Sequence, residues 1–381
     1  MASTVRASLL GIVVLFATEA IAAEAPRQPA FDEAELVSGA VLELPPPASP
    51  LTLPTRDEVF ELDADMRAFL TPLANIRDPR HKLLTLSELL EQHGMFSREY
   101  AEVTRTASDA FHDRQGNCLS FTMLFVGLAR EAGLVANYQS VQVQPTWAND
   151  GQVVIASHVN AVVRTGFGEE TVVDFNIRAA TGDQVSRRIS DTYALGLFYT
   201  NLGAEALLRG EYTASLSYLR EAARVSPKIA GLWVNLGVLY SRRRHYEHAE
   251  AAYLRALEID EDERSALANL VVVYDALGEP ELAEAYRERV RGYRERNPYY
   301  HYAVATRAYE HQQFSEALVA LRKALRLKPD EHEFYTLRGQ ALTAMGKSRD
   351  AEHSFERARE YEAIEYARTE SRVRLGGLSD P

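Results

Sequence analysis

Cys118 is the only cysteine of this 381-residue chain, and it stands where a polar loop meets an apolar segment. The residues before it read "HDRQGN", and the residues after it are almost all apolar. This change of pattern places the thiol at the N-terminus of a buried helix. Backbone N–H groups and the positive end of the helix dipole stabilise a thiolate there, so we expect a lowered thiol pKa.

A nucleophilic cysteine also needs a histidine to take its proton and an acceptor to orient that histidine. Strand alternation in "SHVNAVV" puts His158 and Asn160 on one face, and "TVVDFN" supplies Asp174. A hairpin centred on Gly166 would place His158 opposite Asp174, whereas one centred on Phe167 would make them diagonal neighbours. Both registers keep the two side chains on one face, but a turn centred between two residues would separate them.

The elements around these residues predict an α+β domain over residues 56–190. Two helical patterns, "RDEVFELDADMRAFLTPL" and "HKLLTLSELLEQHGMF", precede the helix that starts at Cys118 and ends near Gly133. After it come three strand patterns bounded by glycines, "ANYQSVQVQP", "QVVIASHVNAVVR" and "ETVVDFN". Helices followed by strands are typical of an α+β layer architecture.

The segments "RQGNCLSFTMLFVGLAREAGLVA", "SHVNAVV" and "VVDFN" together resemble the transglutaminase-like (papain-like) cysteine core. In that family a Gly-x-Cys motif opens the central helix, and the histidine and aspartate come from the following strands. The resemblance implies that Cys118 is the nucleophile, that His158 is the general base and then acid, and that Asp174 orients it. The Cys118 backbone N–H would help to form an oxyanion hole, with Gln115 and Gln139 as candidates for a second donor.

Each of these residues also has a purely structural interpretation. Most free cysteines are small buried apolar residues, His158 could be a core histidine, and Asp174 could cap the hairpin. The chain also departs from the family where an aromatic residue often adjoins the histidine and a proline follows the aspartate. Val159 and Phe175 stand at those places. Some proteins of this fold have lost catalysis.

A 34-residue period begins near residue 196 and continues to about residue 365. One column of small residues and two columns of mostly apolar residues recur in the same register over five copies. The second copy has the most complete pattern: Trp233, Leu236, Gly237, Tyr240, Ala249, Tyr253 and Ala256. The third copy is weaker, with Val271 and Arg287 in place of two family residues. This pattern resembles tetratricopeptide repeats and predicts an all-α solenoid over residues 196–365 that binds a protein or peptide partner.

The two ends of the chain predict export and flexible segments. Arg6, the apolar run 9–17 and Ala20-Ile21-Ala22 form a signal-peptide pattern over residues 1–22, although an uncleaved anchor is an alternative. We therefore expect a periplasmic or secreted protein with no membrane span after cleavage. Residues 23–55 are proline-rich and predict an extended, poorly ordered linker, and residues 366–381 predict a flexible tail.

Composition restricts the function further. The net charge of −12 and pI near 5.4 argue against nucleic-acid binding. Neither a glycine-rich phosphate loop nor a strong metal motif occurs in the sequence, so we expect no cofactor and no metal. The sequence thus predicts an exported cysteine enzyme, either a protease or amidase or a transglutaminase-type acyltransferase, with a thioester intermediate on an amide substrate. The alternative is a non-catalytic scaffold in which the repeats carry the function.

Overall fold

The structure is a computed structural model that describes most of the chain in eight segments. The described residues are 30–46, 51–94, 103–142, 146–147, 153–154, 157–166, 169–175 and 186–373. The predicted signal peptide, residues 1–22, lies outside these segments. No helix within them combines the length and the apolar character needed to cross a membrane.

Short helices precede the cysteine, and polar side chains fix where they begin. In chain order these helices are α1 (Glu33–Ser38), α2 (Arg56–Phe60), α3 (Ala64–Phe69), α4 (Pro79–Gln92) and α5 (Ala107–Asp113). Thr55 forms a capping box with Glu58 at the start of α2, and Asp63 caps α3 through the Met66 N–H. Helices α2, α3 and α5 pack on the central helix that follows, and Val59, Met66 and Phe111 are buried there.

The central helix, α6, spans Cys118–Glu131 and is buried on nearly all sides. It begins at the cysteine, as the sequence predicts. Ala132 caps its C-terminus, and Gly133 then adopts a positive φ of 83° that favours glycine. The helix is therefore held inside the domain, with its first turn facing the sheet strands that follow.

An antiparallel four-stranded sheet covers α6. Its strands are β1 (Val135–Gln142), β4 (Ser157–Arg164), β5 (Glu170–Val173) and β6 (Ser186–Ile189), in the order β5-β4-β1-β6. A separate two-stranded ribbon joins β2 (Thr146–Trp147) to β3 (Val153–Val154). The described part of residues 56–190 thus combines helices with a small sheet, as the α+β prediction expects.

The rest of the chain is a stack of antiparallel helix pairs that repeats about every 34 residues. The described residues form five such pairs: α7 and α8 (Asp191–Leu208, Tyr212–Val225), α9 and α10 (Ala230–Arg242, Tyr246–Ile259), α11 and α12 (Arg264–Leu277, Pro280–Glu295), α13 and α14 (Pro298–Glu310, Phe314–Leu327), and α15 and α16 (His332–Ala344, Ser348–Val373). Helix α16 extends to Val373, so the first part of the predicted flexible tail is helical.

The apolar core does not divide where the repeats begin. One cluster of buried side chains runs from Leu36 through α6 and the sheet to Tyr286 in α12. Helix α7 belongs to both parts, since it packs against α6 and also pairs with α8. Arg130 at the end of α6 reinforces the junction, because its guanidinium donates two hydrogen bonds to the Asp191 carboxylate at 2.7 and 2.9 Å.

Residues 30–46 differ from the extended, poorly ordered linker that the proline content predicts. They form α1 and a short 3-10 turn, and they pack on α8 and α10 of the repeats. Leu36 and Leu42 are buried there, and the Tyr240 hydroxyl donates to the Leu36 carbonyl at 2.6 Å. The linker prediction failed here because two leucines find a partner surface almost two hundred residues further along the chain.

Candidate active site

Cys118 occupies the first position of α6, where the helix supplies no acceptor for a backbone N–H. Asn117 caps this end, since its Oδ1 accepts from the Ser120 N–H at 3.0 Å. The same asparagine is fixed on its other sides by Thr104, whose Oγ1 accepts from Nδ2 at 2.8 Å, and by the Val103 carbonyl. The loop therefore holds the thiol at a defined point above the sheet.

Steric crowding explains why a glycine, Gly116, stands in the Gly-x-Cys motif. A Cβ atom at Gly116 would lie 2.8 Å from the Ser120 Cβ, closer than side-chain carbons approach. Ser120 is itself fixed, because its Oγ accepts from the Arg105 N–H at 2.8 Å. Any larger residue at position 116 would displace the first turn of α6 and the thiol with it.

His158 and Asp174 meet across the β4–β5 hairpin. Ala161 pairs with Val173, which is the second of the two predicted registers, the one that makes His158 and Asp174 diagonal neighbours. His158 Nε2 lies 2.6 Å from Asp174 Oδ1 and 2.8 Å from Oδ2. The imidazole also hydrogen-bonds the Cys118 sulfur. Because Nε2 contacts Asp174, Nδ1 is the ring nitrogen that remains for the sulfur. The structure thus brings the three predicted residues together in a chain of contacts.

Packing between α6 and the strands explains this convergence. The Thr122 hydroxyl, one turn after the cysteine, donates to the Val159 carbonyl beside His158 at 3.0 Å. Phe175, the residue after the aspartate, packs against Phe121 and Phe125 of α6, with ring centroids 6.0 and 5.7 Å apart. This packing of Phe175 on α6 holds the adjoining Asp174 in place.

Asn160 is a site residue whose role the sequence did not reveal. By the observed register it lies opposite Asp174, and its Nδ2 donates to Asp174 Oδ2 at 3.0 Å. The side chain is buried, at 4% exposure, and its Oδ1 has no hydrogen-bond partner among the described residues. The available signal was its position two residues after His158, which put it on the same strand face.

Electrostatics favour a charged imidazole. Burial opposes the charge on His158, but the hydrogen bonds to Asp174 and to Cys118, with their Coulombic attraction, outweigh it and raise its pKa to about 9. His158 is 2% exposed and Cys118 is 9% exposed, so water screens this pair little. A cationic ring next to sulfur is the environment that stabilises a thiolate.

The two candidates for a second oxyanion donor lie in different places. Gln139 of β1 pairs with Asn160 of β4, so it is on the strand face that carries His158, and it is half-buried. Gln115 lies in the loop before α6 and is exposed. The sheet register therefore favours Gln139 over Gln115, which the sequence could not separate.

Comparison with known proteins concerns the helical repeats. The tetratricopeptide-repeat family matches residues 230–263, which correspond to α9 and α10. The C-terminal part of this chain carries tetratricopeptide repeats. Members of this repeat class bind protein or peptide partners.

Three named proteins are similar to part of this chain. Superkiller protein 3 of Schizosaccharomyces pombe is 24% identical over 173 residues, which is 44% of this chain but only 12% of that protein. Among solved structures, MamA of Desulfovibrio magneticus RS-1 is 20% identical, with a TM-score of 0.25 over 44% of this chain and 96% of its own. YrrB, a TPR protein with an unusual peptide-binding site, is 17% identical, with a TM-score of 0.26 over 44% and 87%.

Proposed function

We propose that the chain is an exported cysteine enzyme of the transglutaminase-like type that acts on amide bonds of a protein or peptide. The observation that carries this proposal is the contact chain from Cys118 at the start of α6 through His158 to Asp174. Three residue types in these roles, joined by hydrogen bonds, form the arrangement required for nucleophilic catalysis.

In the proposed reaction the Cys118 thiolate attacks the carbonyl carbon of the amide, and a carbon–sulfur bond forms. The His158 imidazolium then gives its proton to the leaving nitrogen as the carbon–nitrogen bond breaks, which releases an amine and leaves a thioester. Neutral His158 next takes a proton from water or from a second amine. That nucleophile attacks the thioester carbon and the carbon–sulfur bond breaks, so the product is a carboxylic acid or a new amide, and the Cys118 thiolate and His158 imidazolium are restored.

Protein residues other than these three have supporting roles in this mechanism. Asn160 holds the Asp174 carboxylate, and Asp174 in turn orients the imidazole. The Cys118 N–H and the Gln139 side chain are the proposed donors to the oxyanion of the tetrahedral intermediate. The repeats supply the binding of the protein partner.

A thiol-labelling experiment tests the activated thiol directly, because Cys118 is the only cysteine. The folded chain should react with iodoacetamide at pH 7 at least about tenfold faster than the urea-unfolded chain, since the folded state holds more thiolate. His158→Gln should remove this acceleration. The matched control is His112→Gln, because His112 forms a similar contact with Asp63, 2.7 Å away, outside the site. Equal labelling rates for folded and unfolded chain would refute an activated thiol.

The second candidate is a non-catalytic scaffold, and the burial of Cys118 and His158 favours it. In that case the cysteine contributes only packing, and a partner bound to the repeats accounts for the function. Cys118→Ser distinguishes the two, since it keeps the shape but removes the nucleophile. A scaffold predicts that this variant retains partner binding and full biological function, whereas an enzyme predicts retained binding with lost function.

A further inference from the structure

A groove of about 800 Å³ opens between the third and fourth helix pairs of the array. Its floor is apolar and includes Val271 of α11, Val290 of α12, and Val304 and Val319 from the fourth pair. Val304 and Val319 are 40% and 47% exposed, so two large apolar side chains of the groove are open to solvent. Arg287, Arg291, Arg294 and Lys323 line the groove together with Glu295 and Glu316.

The weak third repeat explains why the groove exists. In the first, second and fifth pairs a glycine lets a large side chain lie against the opposite helix, as where a Gly237 Cβ would be 2.4 Å from Tyr253. At the same positions the third pair has Val271 and Arg287. Arg287 instead bonds to Asp275 of α11, at 2.5 and 2.6 Å. The third pair therefore lacks the large apolar side chain that the first, second and fifth pairs place in the core at this position.

The apolar core is interrupted at this point. The large buried cluster ends with Tyr286, and a separate small cluster begins with Ala305. Stacked repeats ordinarily bury one continuous core across each junction. An apolar side chain from outside, placed on the valine floor, would fill the interruption between the two clusters.

The chain itself shows what kind of segment such a surface accepts. Helix α1 has an acidic first turn and lies on α8 and α10, where Leu36 is buried and Glu33 forms an ion pair with Arg255. Lys323 of α14 stands two repeats after Arg255, at the same repeat position. It is exposed and forms no ion pair with a described residue, so its charge is available to a ligand carboxylate.

We propose that this groove binds an acidic, amphipathic peptide segment of a partner protein. An aliphatic or aromatic side chain of the peptide enters the valine floor, and a carboxylate of the peptide pairs with Lys323. The inference rests on the partner-binding part of the proposed function and is independent of the cysteine chemistry.

Peptide selection tests this site. Random dodecapeptides displayed on phage are selected on the full chain carrying Cys118→Ala, so that no peptide is consumed, and affinities of the enriched sequences are measured by fluorescence anisotropy. Selection should enrich sequences that combine Leu, Ile or Phe with Asp or Glu. Lys323→Glu should weaken their binding about tenfold, whereas the neighbouring charge reversal Arg322→Glu should leave it unchanged.

Val319→Asp provides a second variant on the groove floor, with Val272→Asp as its control on an exposed valine outside the groove. Circular dichroism establishes that each variant keeps its helices. The proposal is overturned if no enriched family loses affinity in both groove variants, or if the groove-dependent family is rich in Lys and Arg. Because the readout is binding without the thiol, a failure of the enzyme proposal would not change it.

Discussion

Asn160 lies across the hairpin from Asp174 and donates a hydrogen bond to its Oδ2, while His158 Nε2 contacts both oxygens of the same carboxylate. The aspartate that orients the imidazole is thus itself oriented by a buried amide. Asn160→Ala should lower the iodoacetamide reaction rate about tenfold, because a bond to a charged group contributes about 1.5–3 kcal/mol.

Asn137→Ala is the matched control for that substitution. Asn137 pairs with Val162 across β1 and β4, so it lies on the same sheet face but further along the strand. Asn137→Ala should leave the iodoacetamide reaction rate unchanged. If both asparagine variants react like the wild type, the amide of Asn160 has no positioning role.

Asp174→Asn should move the pH dependence of the reaction. Burial opposes the charge on His158, but Asp174 together with Cys118 raises its pKa to about 9, so the ring stays protonated through neutral pH and loses its proton only as pH rises through that value. Without the charge the pKa should fall toward the ordinary 6.5. We expect the alkaline limb of the pH–rate profile to shift downward by at least about one unit.

The His158 ring-proton chemical shift, followed by NMR across the same pH range, measures that pKa independently of turnover. A variant that loses activity while its ring titrates as in the wild type would show that Asp174 does not control the imidazole charge.

Asp63 supports the helices that pack behind the site. Its carboxylate caps α3 at Met66 and accepts bonds from Ser108 at 2.8 Å and His112 at 2.7 Å. Burial opposes its ionisation, but these bonds outweigh that and lower its pKa from 3.8 to about 2. Asp63→Ala should reduce the free energy of unfolding at pH 7 by about 1–2 kcal/mol, whereas Asp65→Ala should not.

The pH dependence of that difference has a defined sign. Because the carboxyl pKa is lower in the folded chain, ionised Asp63 stabilises the fold above pH 3.8. This stabilisation is lost as the pH falls through about 2. Urea titrations should therefore show the two chains converging in stability below pH 3.8. A difference that stays constant over this range would attribute the loss to packing alone.

Leu36→Ala should release the N-terminal segment from the repeats. The side chain is 1% exposed, and removing a buried leucine side chain costs about 2–5 kcal/mol. Hydrogen exchange in α1 should become fast, while exchange in α11 stays slow. Val41→Ala is the control, because that side chain is 36% exposed, and it should leave the exchange of α1 unaltered.

Gly39 tests the same contact by steric means. It has a positive φ of 58°, and a Cβ there would lie 2.4 Å from Leu216 Cδ2. Gly39→Ala should therefore also release α1, and slow exchange in that variant would contradict the docked arrangement.

Arg130→Ala should weaken the junction between the sheet domain and the repeats. Besides the bonds to Asp191, its Nε donates to the Ala136 carbonyl at 2.9 Å. We expect a loss of about 1–2 kcal/mol in the free energy of unfolding, measured with urea. The control is Arg67→Ala, which removes an exposed pair with Glu131 and should change stability by less than about 0.5 kcal/mol. Equal effects would mean that the junction depends on apolar packing only.

Sequence patterns predicted the elements of the site better than their exact alignment. The start of α6 follows from one sharp change of polarity at Cys118. The hairpin register stayed open because glycines at 166 and 168 both suit a turn, and the structure settles it with a bond from the Thr165 N–H to the Glu169 carbonyl. Asn160 could be placed on a face, but its partner depends on that register.

Sequence patterns could not predict contacts between segments that are distant in the chain. The prolines of residues 23–55 favour an extended chain, and nothing local announces that Leu36 will be covered by α8 and α10. The groove at the third repeat was visible only as a departure from the family pattern at Val271 and Arg287. Its consequence, an interrupted core, needed the packed helices on both sides.

Helix α7 packs against α6 and also pairs with α8, so the helix that begins at Cys118 and the first repeat share one neighbouring helix. Arg130 ties α7 to the far end of α6, a stiff rod of 14 residues, about 21 Å long, with Cys118 at its other tip. The position of the thiol and the position of the first repeat therefore both depend on how α6 packs against α7.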